Sequence, residues 1–399
     1  MQVIDLESQL KTAIQILDKL HIEGYQAFFV GGFVRDYLLD IPIQDIDIAT
    51  SAKPEEVQRI FPDAIATGVR FGTVSIKRCN HLYEITTFRS ETEYDDHRHP
   101  KAVTFARNLE DDLKRRDFTI NAIAMTKQME IIDPLSGRED LKRGLIRAIG
   151  EPLERFTEDA LRVLRAFRFV AKLGYDLEAK TSEGLKKAMP FLKKIANERI
   201  MGELGKIIVY PENFKALKLM HLHGLGDVIE DIGLGLQKIA EQGKFNLNVR
   251  EFYAFCFYLA GYADIPKTWR FSNKEKVQIM KLIDLIEKRS KGPLSKLDIF
   301  RAGLDDSLAS NKISKFIGED LDQENQIHSL WRELPIKKES DLKYKATDLI
   351  DLMMVEDNRQ IGEVFQEITD AVVCGRIANN EDEIKDYVLN RFREGTGKR

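Results

Sequence analysis

Cysteine is scarce in this sequence, with three residues in 399, at Cys79, Cys256 and Cys374. Their wide separation excludes a close metal-ligand pair, and the odd count argues against a disulfide framework, so three buried or half-buried free thiols are expected. Proline numbers only 11 and glycine 25, with no period, which excludes collagen-like and low-complexity chains. Long apolar runs are missing as well: Tyr253 to Ala263, the longest near-apolar stretch, falls short of the ~20 residues that a membrane helix needs. The opening Met1-Gln-Val-Ile-Asp-Leu-Glu has no basic segment leading into an apolar one. No secretory signal and no membrane partner are therefore expected, and a cytoplasmic location is. Charge of one sign is lacking too. Lys and Arg total 61 against 65 Asp and Glu, a formal charge of −4, which does not advertise nucleic-acid binding.

What remains is 43% hydrophobic and 32% charged, the balance of a soluble globular chain with a sizeable core. At roughly 150 residues per domain the length predicts two to three domains. The first 150 residues read as α/β. An amphipathic helix (Leu6, Leu10, Ile14, Leu17, Leu20) precedes an apolar strand, Ala27–Val30. Further strands are expected at Ile46–Thr50, Thr73–Lys77, Tyr83–Phe88 and Glu130–Ile132, bounded by Gly, Pro and Asn. Between Phe88 and Arg116 lies a polar, charge-dense segment with weak periodicity, read as a long loop of the functional or mobile kind. From about Glu154 helical periodicity takes over, punctuated by Pro190, Pro211, Pro266, Pro293 and Pro335.

Charge is unevenly distributed in the helical part. Ten basic residues between Lys267 and Arg301 face four acidic ones, while the last hundred residues lean acidic. Such a stretch suits either a phosphate-binding face or a solvated helix surface.

Several constellations could carry chemistry. Val30-Gly31-Gly32-Phe33-Val34-Arg35-Asp36 is a strand end opening into a helix. Paired glycines there let backbone N–H groups approach a phosphate at the positive end of the helix dipole, with Arg35 one turn in. Alone, the same pattern also describes an ordinary strand-to-helix turn. Asp45 and Asp47, two apart on a strand-like segment, point to one face. Holding both ionised calls for a cation, and magnesium takes oxygen ligands while leaving room for phosphate and water; a surface pair at a strand end is the alternative. Glu84, on a neighbouring strand, joins them if the two strands pair, and is otherwise a solvent-facing acid.

Arg115 and Arg116 directly precede an apolar helix-like run, where they could contact phosphate, and Asp117 could serve as a helix N-cap. In Phe156 to Arg168, Thr157 reads as an N-cap with Glu158 and Asp159 as first-turn acids. Asp159, Arg162, Arg165 and Arg168 recur every three residues along one side of a helix. Either Asp159 and Arg162 form an exposed ion pair of little worth, or the stripe is an anion slot whose Asp acceptor and Arg donor read the edge of a nucleobase.

Together these motifs resemble a class II tRNA nucleotidyltransferase, the CCA-adding family, of the compact bacterial type without an HD domain. The resemblance is strong over the first ~210 residues. It rests on five motifs in order: Gly31-Gly32-x-x-Arg35-Asp36 with Asp45-x-Asp47; Thr87–Glu91 through Tyr94, Arg98 and Pro100 to Val103; Arg116-Asp117-Phe-Thr-Ile-Asn121; Glu158-Asp159-x-x-Arg162; and Asn197-Glu198-Arg199-Ile200 with Glu203-Leu204. Phe33 is a departure, since the family usually has a small residue there.

The resemblance implies an α/β nucleotidyltransferase head of the polymerase-β-like superfamily, with a mixed sheet of about five strands, followed by an all-α neck, body and tail. The implied boundaries are a catalytic head over 1–150, a neck with the nucleotide-selecting helix over 151–210, a body over 211–265 and a tRNA-binding tail over 266–399. It implies template-independent addition of the 3′-terminal CCA of tRNA from CTP and ATP. Mg2+ would sit on the catalytic and metal-binding Asp45 and Asp47, with Glu84 as a third acid. Gly32, Arg35, Arg116, Asp117, Arg165 and Arg168 would hold ribose and triphosphate, while Asp159 and Arg162 select the base. The loop after Phe88 is the implied lever for switching from C to A, and the basic Lys267–Arg301 stretch the implied contact to the tRNA backbone. A homodimer is a further implied assembly. The alternatives are a poly(A) polymerase or an A-adding enzyme of the same superfamily, or a non-catalytic RNA-binding protein that kept the fold.

Overall fold

A computed structural model describes residues 6–396 apart from 44, 69–71, 79–80, 92–102, 107, 319–321, 346 and 350–357. The chain divides into two compact units, Met1–Phe245 and Asn246–Arg399, so the expected 211–265 body has residues in both.

The first unit is built on a mixed sheet. Helix α1 (Leu6–Ile22) buries Ala13, Ile16, Leu17 and Leu20, spaced to fall on one face. Strand β1 (Ala27–Val30) follows, then α2 (Gly31–Leu38), β2 (Ile46–Thr50) and α3 (Pro54–Ile60). Next come β3 (Ile65–Gly68), β4 (Thr73–Arg78), β5 (His81–Thr87), β6 (Arg89–Glu91), β7 (Val103–Phe105) and α4 (Leu109–Lys114). The head closes with β8 (Ala124–Met125), β9 (Ile131–Ile132) and α5 (Gly137–Arg143).

Seven strands share the main sheet in the order β3-β4-β5-β2-β1-β8-β9, rather than about five. The two additions are β3, which ends in a glycine and pairs irregularly with β4, and the two-residue β8. Among the described residues of this sheet only β2 and β5 run parallel, and that pairing sets Asp47 opposite Glu84.

The segment between Phe88 and Arg116 is not a plain loop. Strands β6 and β7 pair antiparallel, and α4 starts on an Asn108 cap whose side chain accepts from the Asp111 backbone N–H. Leu109 and Leu113 of α4 sit in one apolar cluster with Val30, Ala49, Phe88, Ala122 and Ala124, so α4 is anchored to the ends of β1 and β2. Tyr94, Arg98 and Pro100 lie outside the described residues.

The rest of this unit is largely helical: α6 (Pro152–Glu158), α7 (Leu161–Leu173), α8 (Ala179–Ala188), α9 (Asn197–Val209), α10 (Asn213–Leu222), α11 (Leu225–Val228) and α12 (Glu230–Gln242). The single helix read across Phe156–Arg168 is in fact two. Thr157 lies inside α6, and the extended backbone at Asp159 separates α6 from α7.

The second unit is helical throughout its described residues: α13 (Val249–Leu259), α14 (Asn273–Lys291), α15 (Lys296–Ala302), α16 (Leu304–Ile317), α17 (Glu324–Glu333), α18 (Asn358–Val373) and α19 (Glu381–Thr396). Capping boxes at Asn248/Glu251, Ser272/Glu275 and Ser295/Asp298 start three of them. Tyr253, Phe257, Trp269 and Phe271 pack edge to face or tilted around one aromatic core.

Cys256 is buried as expected, whereas Cys374 is exposed; both are free thiols. No helix among the described residues is long and apolar enough to cross a membrane.

Candidate active site

A cavity of about 610 Å3 opens where the end of β1 meets α2, and the expected site residues converge on its walls. Asp45, Asp47 and Glu84 line one side, while Gly32, Arg35, Arg116, Asp117, Asp159, Arg162, Arg165 and Arg168 line the rest. Asp45 is exposed just before β2, whereas Asp47 is half-buried within it. Burial pushes the Asp47 carboxyl up to about 6; Glu84 and Asp45 reinforce the rise, and Arg116 and Arg35 oppose it. Among the described residues no group of three His, Cys, Asp or Glu side chains forms a ready metal cluster, so these acids do not close on a single point.

Beside Asp47, α2 begins at Gly31. The residue before it, Val30, is extended and supplies no side-chain cap, which leaves the N-terminal N–H groups of the helix for a ligand. Gly31 has φ +69, and a Cβ there would stand 3.1 Å from Arg116 Nη1 and 3.2 Å from Asp47 Oδ2. Glycine is therefore required both by the left-handed backbone and by the space between an acid and a guanidinium. Phe33 points into the core, 1% exposed and tilted against Phe29 and Tyr37, which explains how a large residue is tolerated after the glycines.

The basic wall is tied together by buried hydrogen bonds. Arg35 donates to Asp36 Oδ1 (2.8 Å) and to Asn121 Oδ1 (2.7 Å), and Asn121 donates to Asp117 Oδ1 (3.0 Å). The other Asp117 oxygen accepts from Arg165 Nε at 2.7 Å and from Arg165 Nη2. Burial opposes ionisation of Asp117, but Arg165 and Asn121 hold its carboxyl well below the usual range. Lys172 donates to Asp36 at 2.8 Å, and Arg168 pairs with the buried Glu203 at 3.1 Å. Asp117 also accepts from the Phe118 backbone N–H, but it is not the expected N-cap: only a short 3-10 turn, Thr119–Asn121, follows, with Phe118 at its N-cap position and no side-chain cap.

Asp159 and Arg162 both face the cavity, yet each is held by a different partner. Arg199 donates to Asp159 at 3.1 Å, and Asp159 also accepts from the backbone N–H of Leu161, the first residue of α7. Arg162 donates to Glu158 (2.6 Å) and to the Arg155 carbonyl (3.0 Å). The even stripe of four groups on one helix is thus corrected: Asp159 stands at the break before α7, and only the three arginines lie on it.

Lining residues with no signal in the sequence include Thr86, Lys172 and Tyr210. These reach the cavity only through the packing of β5, α7 and the end of α9.

Part of the Lys267–Arg301 stretch is engaged in ion pairs at the surface. Lys281 pairs with Asp306, Lys288 with Asp284 and Asp298, Lys291 with Glu287, Lys296 with Glu333 and Arg301 with Asp370. Arg289 is buried against Gln323.

Comparisons with known proteins agree with this arrangement. A family model described as the poly A polymerase head domain matches residues 27–147, and one for tRNA nucleotidyltransferase domain 2 matches 248–388. The CCA-adding enzyme of Ligilactobacillus salivarius is 38% identical over 397 residues, covering 96% of each chain. That of Bacillus cereus (strain Q1) is 34% identical over 389 residues, 95% of this chain and 98% of the relative. Among solved structures, the Bacillus stearothermophilus CCA-adding enzyme in complex with CTP superposes with a TM-score of 0.80 at 33% identity, covering 98% of this chain and 99% of that one. The Thermotoga maritima CCA-adding enzyme complexed with tRNA shares the fold, with a TM-score of 0.65 at 22% identity over 96% of each chain.

Proposed function

The chain belongs to the bacterial class II CCA-adding enzymes, and from that premise we propose how its own residues add C, C and A to the 3′ end of tRNA. The substrates are CTP, ATP and a tRNA end, and no nucleic-acid template is used. The 3′-hydroxyl oxygen bonds to the α-phosphorus, the bond from that phosphorus to the β-phosphate oxygen breaks, and pyrophosphate leaves. One cavity carries this reading: it sets the Asp45–Asp47–Glu84 acids, the uncapped start of α2, four arginines (Arg35, Arg116, Arg165 and Arg168) and the Asp159 and Arg162 side chains around a single space.

Members of the family use divalent metal ions, and the acid wall fits such a cation. Its donors are hard carboxylate oxygens, and the charge of Asp47 is disfavoured first by burial and then by its acidic neighbours, a penalty that a cation would relieve. We take the ion to be Mg2+, held by Asp45 and Asp47 with Glu84 beside them, where it would supply charge neutralisation at the reacting phosphate and its leaving group. The protein's own part is positioning and charge. The Gly32 backbone and Arg35 steady the triphosphate from the start of α2, and Arg116, Arg165 and Arg168 neutralise it from the neighbouring lining.

Base choice falls to Asp159 and Arg162. Asp159 accepts from an exocyclic amine, which C and A both present and U and G replace by a carbonyl. Arg162 donates to ring acceptors. Arg199 and Glu158 hold these two groups apart in the structure, so each keeps a defined place at the cavity while its remaining hydrogen-bonding capacity reads the base. We further assign residues 1–150 as catalytic head, 151–210 as nucleotide-selecting neck, and 211–265 and 266–399 as body and tRNA-binding tail, in the cytoplasm.

The test is extension of a tRNA transcript lacking its 3′ end, with CTP and ATP together. Exactly the CCA triplet is expected. Long adenosine tails would indicate a poly(A) polymerase, addition of A alone an A-adding enzyme, and no extension a non-catalytic RNA-binding protein.

A further inference from the structure

Asp112 is fully buried and is not among the residues lining the cavity, yet it holds three that are: Arg89, Arg115 and Arg116. Its Oδ1 accepts from Arg115 Nε at 2.9 Å and from the Arg89 backbone N–H at 3.2 Å. Its Oδ2 accepts from Arg116 at both Nε (3.3 Å) and Nη2 (3.0 Å). Burial works against its charge, but Arg116 and Arg115 keep the carboxyl below its ordinary range, so it is a carboxylate at neutral pH.

The geometry of this grip is directional. Asp112 occupies the Nε–Nη2 edge of the Arg116 guanidinium, and the remaining Nη1 is turned toward the Asn121 carbonyl (3.3 Å) and the space beside Gly31 and Asp47. A planar guanidinium held along one edge has its other end fixed in direction. Asp112 is itself rigidly placed, because its neighbours Leu109 and Leu113 belong to the apolar cluster that contains Val30 of β1 and Ala49 of β2. The carboxylate therefore links the strand that carries Asp47, the arginine pair and the first residue of β6.

We propose that Asp112 is a positioning residue for nucleotide binding: through its two-oxygen hold on Arg115, Arg116 and the Arg89 backbone, it fixes where the Arg116 guanidinium meets the triphosphate and ties that position to the base of the β6–β7 hairpin. This rests on the nucleotidyl-transfer reading above. A carboxylate that served only the fold would cost stability when neutralised, as any broken buried ion pair does, but its loss would not be felt selectively in the nucleotide KM.

The experiment is a double-mutant cycle in the full-length protein, using Asp112→Asn, Arg116→Ala and the double variant, with Asp112→Glu as the charge-conserving control. CTP addition to tRNA lacking CCA and ATP addition to tRNA ending in CC are followed for KM and kcat, alongside thermal melting. Asp112→Asn is expected to raise the KM of both nucleotides about tenfold, the scale of losing a charge-assisted hydrogen bond, with kcat changed far less. Asp112→Glu should recover part of the loss, and the effect should vanish in the Arg116→Ala background. The proposal is overturned if Asp112→Asn leaves both KM values within about twofold of the parent. It is equally overturned if the same penalty appears without Arg116, or if neither Asp112 variant folds, since the carboxylate then serves the fold before any nucleotide is met. Absence of extension by the parent protein would instead refute the transfer reading, and CTP titration calorimetry on the same four proteins would still decide the role of Asp112.

Discussion

Replacing Gly31 by alanine separates the cost of the backbone from the cost to the chemistry. Gly31 sits at φ +69, where a residue with a Cβ pays roughly 1–2 kcal/mol. For a unit of this size that predicts a fall in Tm of a few degrees, at about 2–4 °C per kcal/mol. The larger consequence is local. The new methyl would lie 3.1 Å from Arg116 Nη1 and 3.2 Å from Asp47 Oδ2, so both groups must yield by a few tenths of an ångström. Neither moves freely, since Arg116 is held by Asp112 and Asn121 and Asp47 lies within β2. A displacement of 1 Å at reacting groups costs about 100-fold, so tens-fold loss in kcat/KM for both CTP and ATP is expected here. Gly32→Ala is the internal control. Its Cβ would meet only Arg35 Nη2, at an ordinary 3.6 Å, so Tm should hold while KM rises as a methyl enters the phosphate approach. Steady-state kinetics with melting curves decides the matter. A Gly31→Ala protein that melts lower but keeps kcat/KM within about threefold would refute the claim that this glycine makes room between the acid and the arginine.

Three further outcomes follow from the same geometry. Because the folded Asp47 carboxyl is raised from 3.8 to about 6, it favours folding in its protonated form, and this contribution is lost as pH rises through about 6. The rise in Tm caused by Mg2+ should therefore grow between pH 5 and 7 and shrink sharply in Asp47→Asn, as read by melting with and without the ion. Asp117→Asn leaves Arg165 facing an uncharged partner in the buried chain that runs to Arg35, and should cost about 3 kcal/mol of unfolding free energy in denaturant titration. In α14, neutralising the exposed Lys274 should lower the salt slope of tRNA binding by about one, whereas neutralising Lys291, which is paired with Glu287, should leave it nearly unchanged.

The legible part of the fold is the part that local chemistry dictates. Strands Ala27–Val30 and Ile46–Thr50 were readable to the residue because apolar runs bounded by glycine and polar residues admit few other conformations. The parallel pairing of Asp47 with Glu84 could be framed only as a condition, since pairing partners are set by topology. Strand β8 is two residues long, below any periodic signal. The break between α6 and α7 was hidden because the arginines at 162, 165 and 168 continue a helical spacing on its far side, while Asp159 looks like one more member. Asp112 was invisible for a different reason. It is the third acid in Glu110-Asp111-Asp112, and only contacts with Arg89, Arg115 and Arg116 distinguish it from its exposed neighbours. The basic stretch was legible only as composition, which could not reveal that acids such as Asp306, Glu333 and Asp370 pair with part of it from other helices.

The central claim is that one cavity reads both C and A through Asp159 and Arg162 without a template. The most direct measurement supplies a single nucleoside triphosphate per reaction, to tRNA lacking CCA and to tRNA ending in CC, for the parent protein and for Asp159→Ala. The parent should add two residues from CTP alone to the first tRNA and one from ATP alone to the second, while UTP and GTP give neither. Asp159→Ala should lose that discrimination. Retention of full C and A selectivity by Asp159→Ala would contradict the account and place base choice elsewhere in the chain.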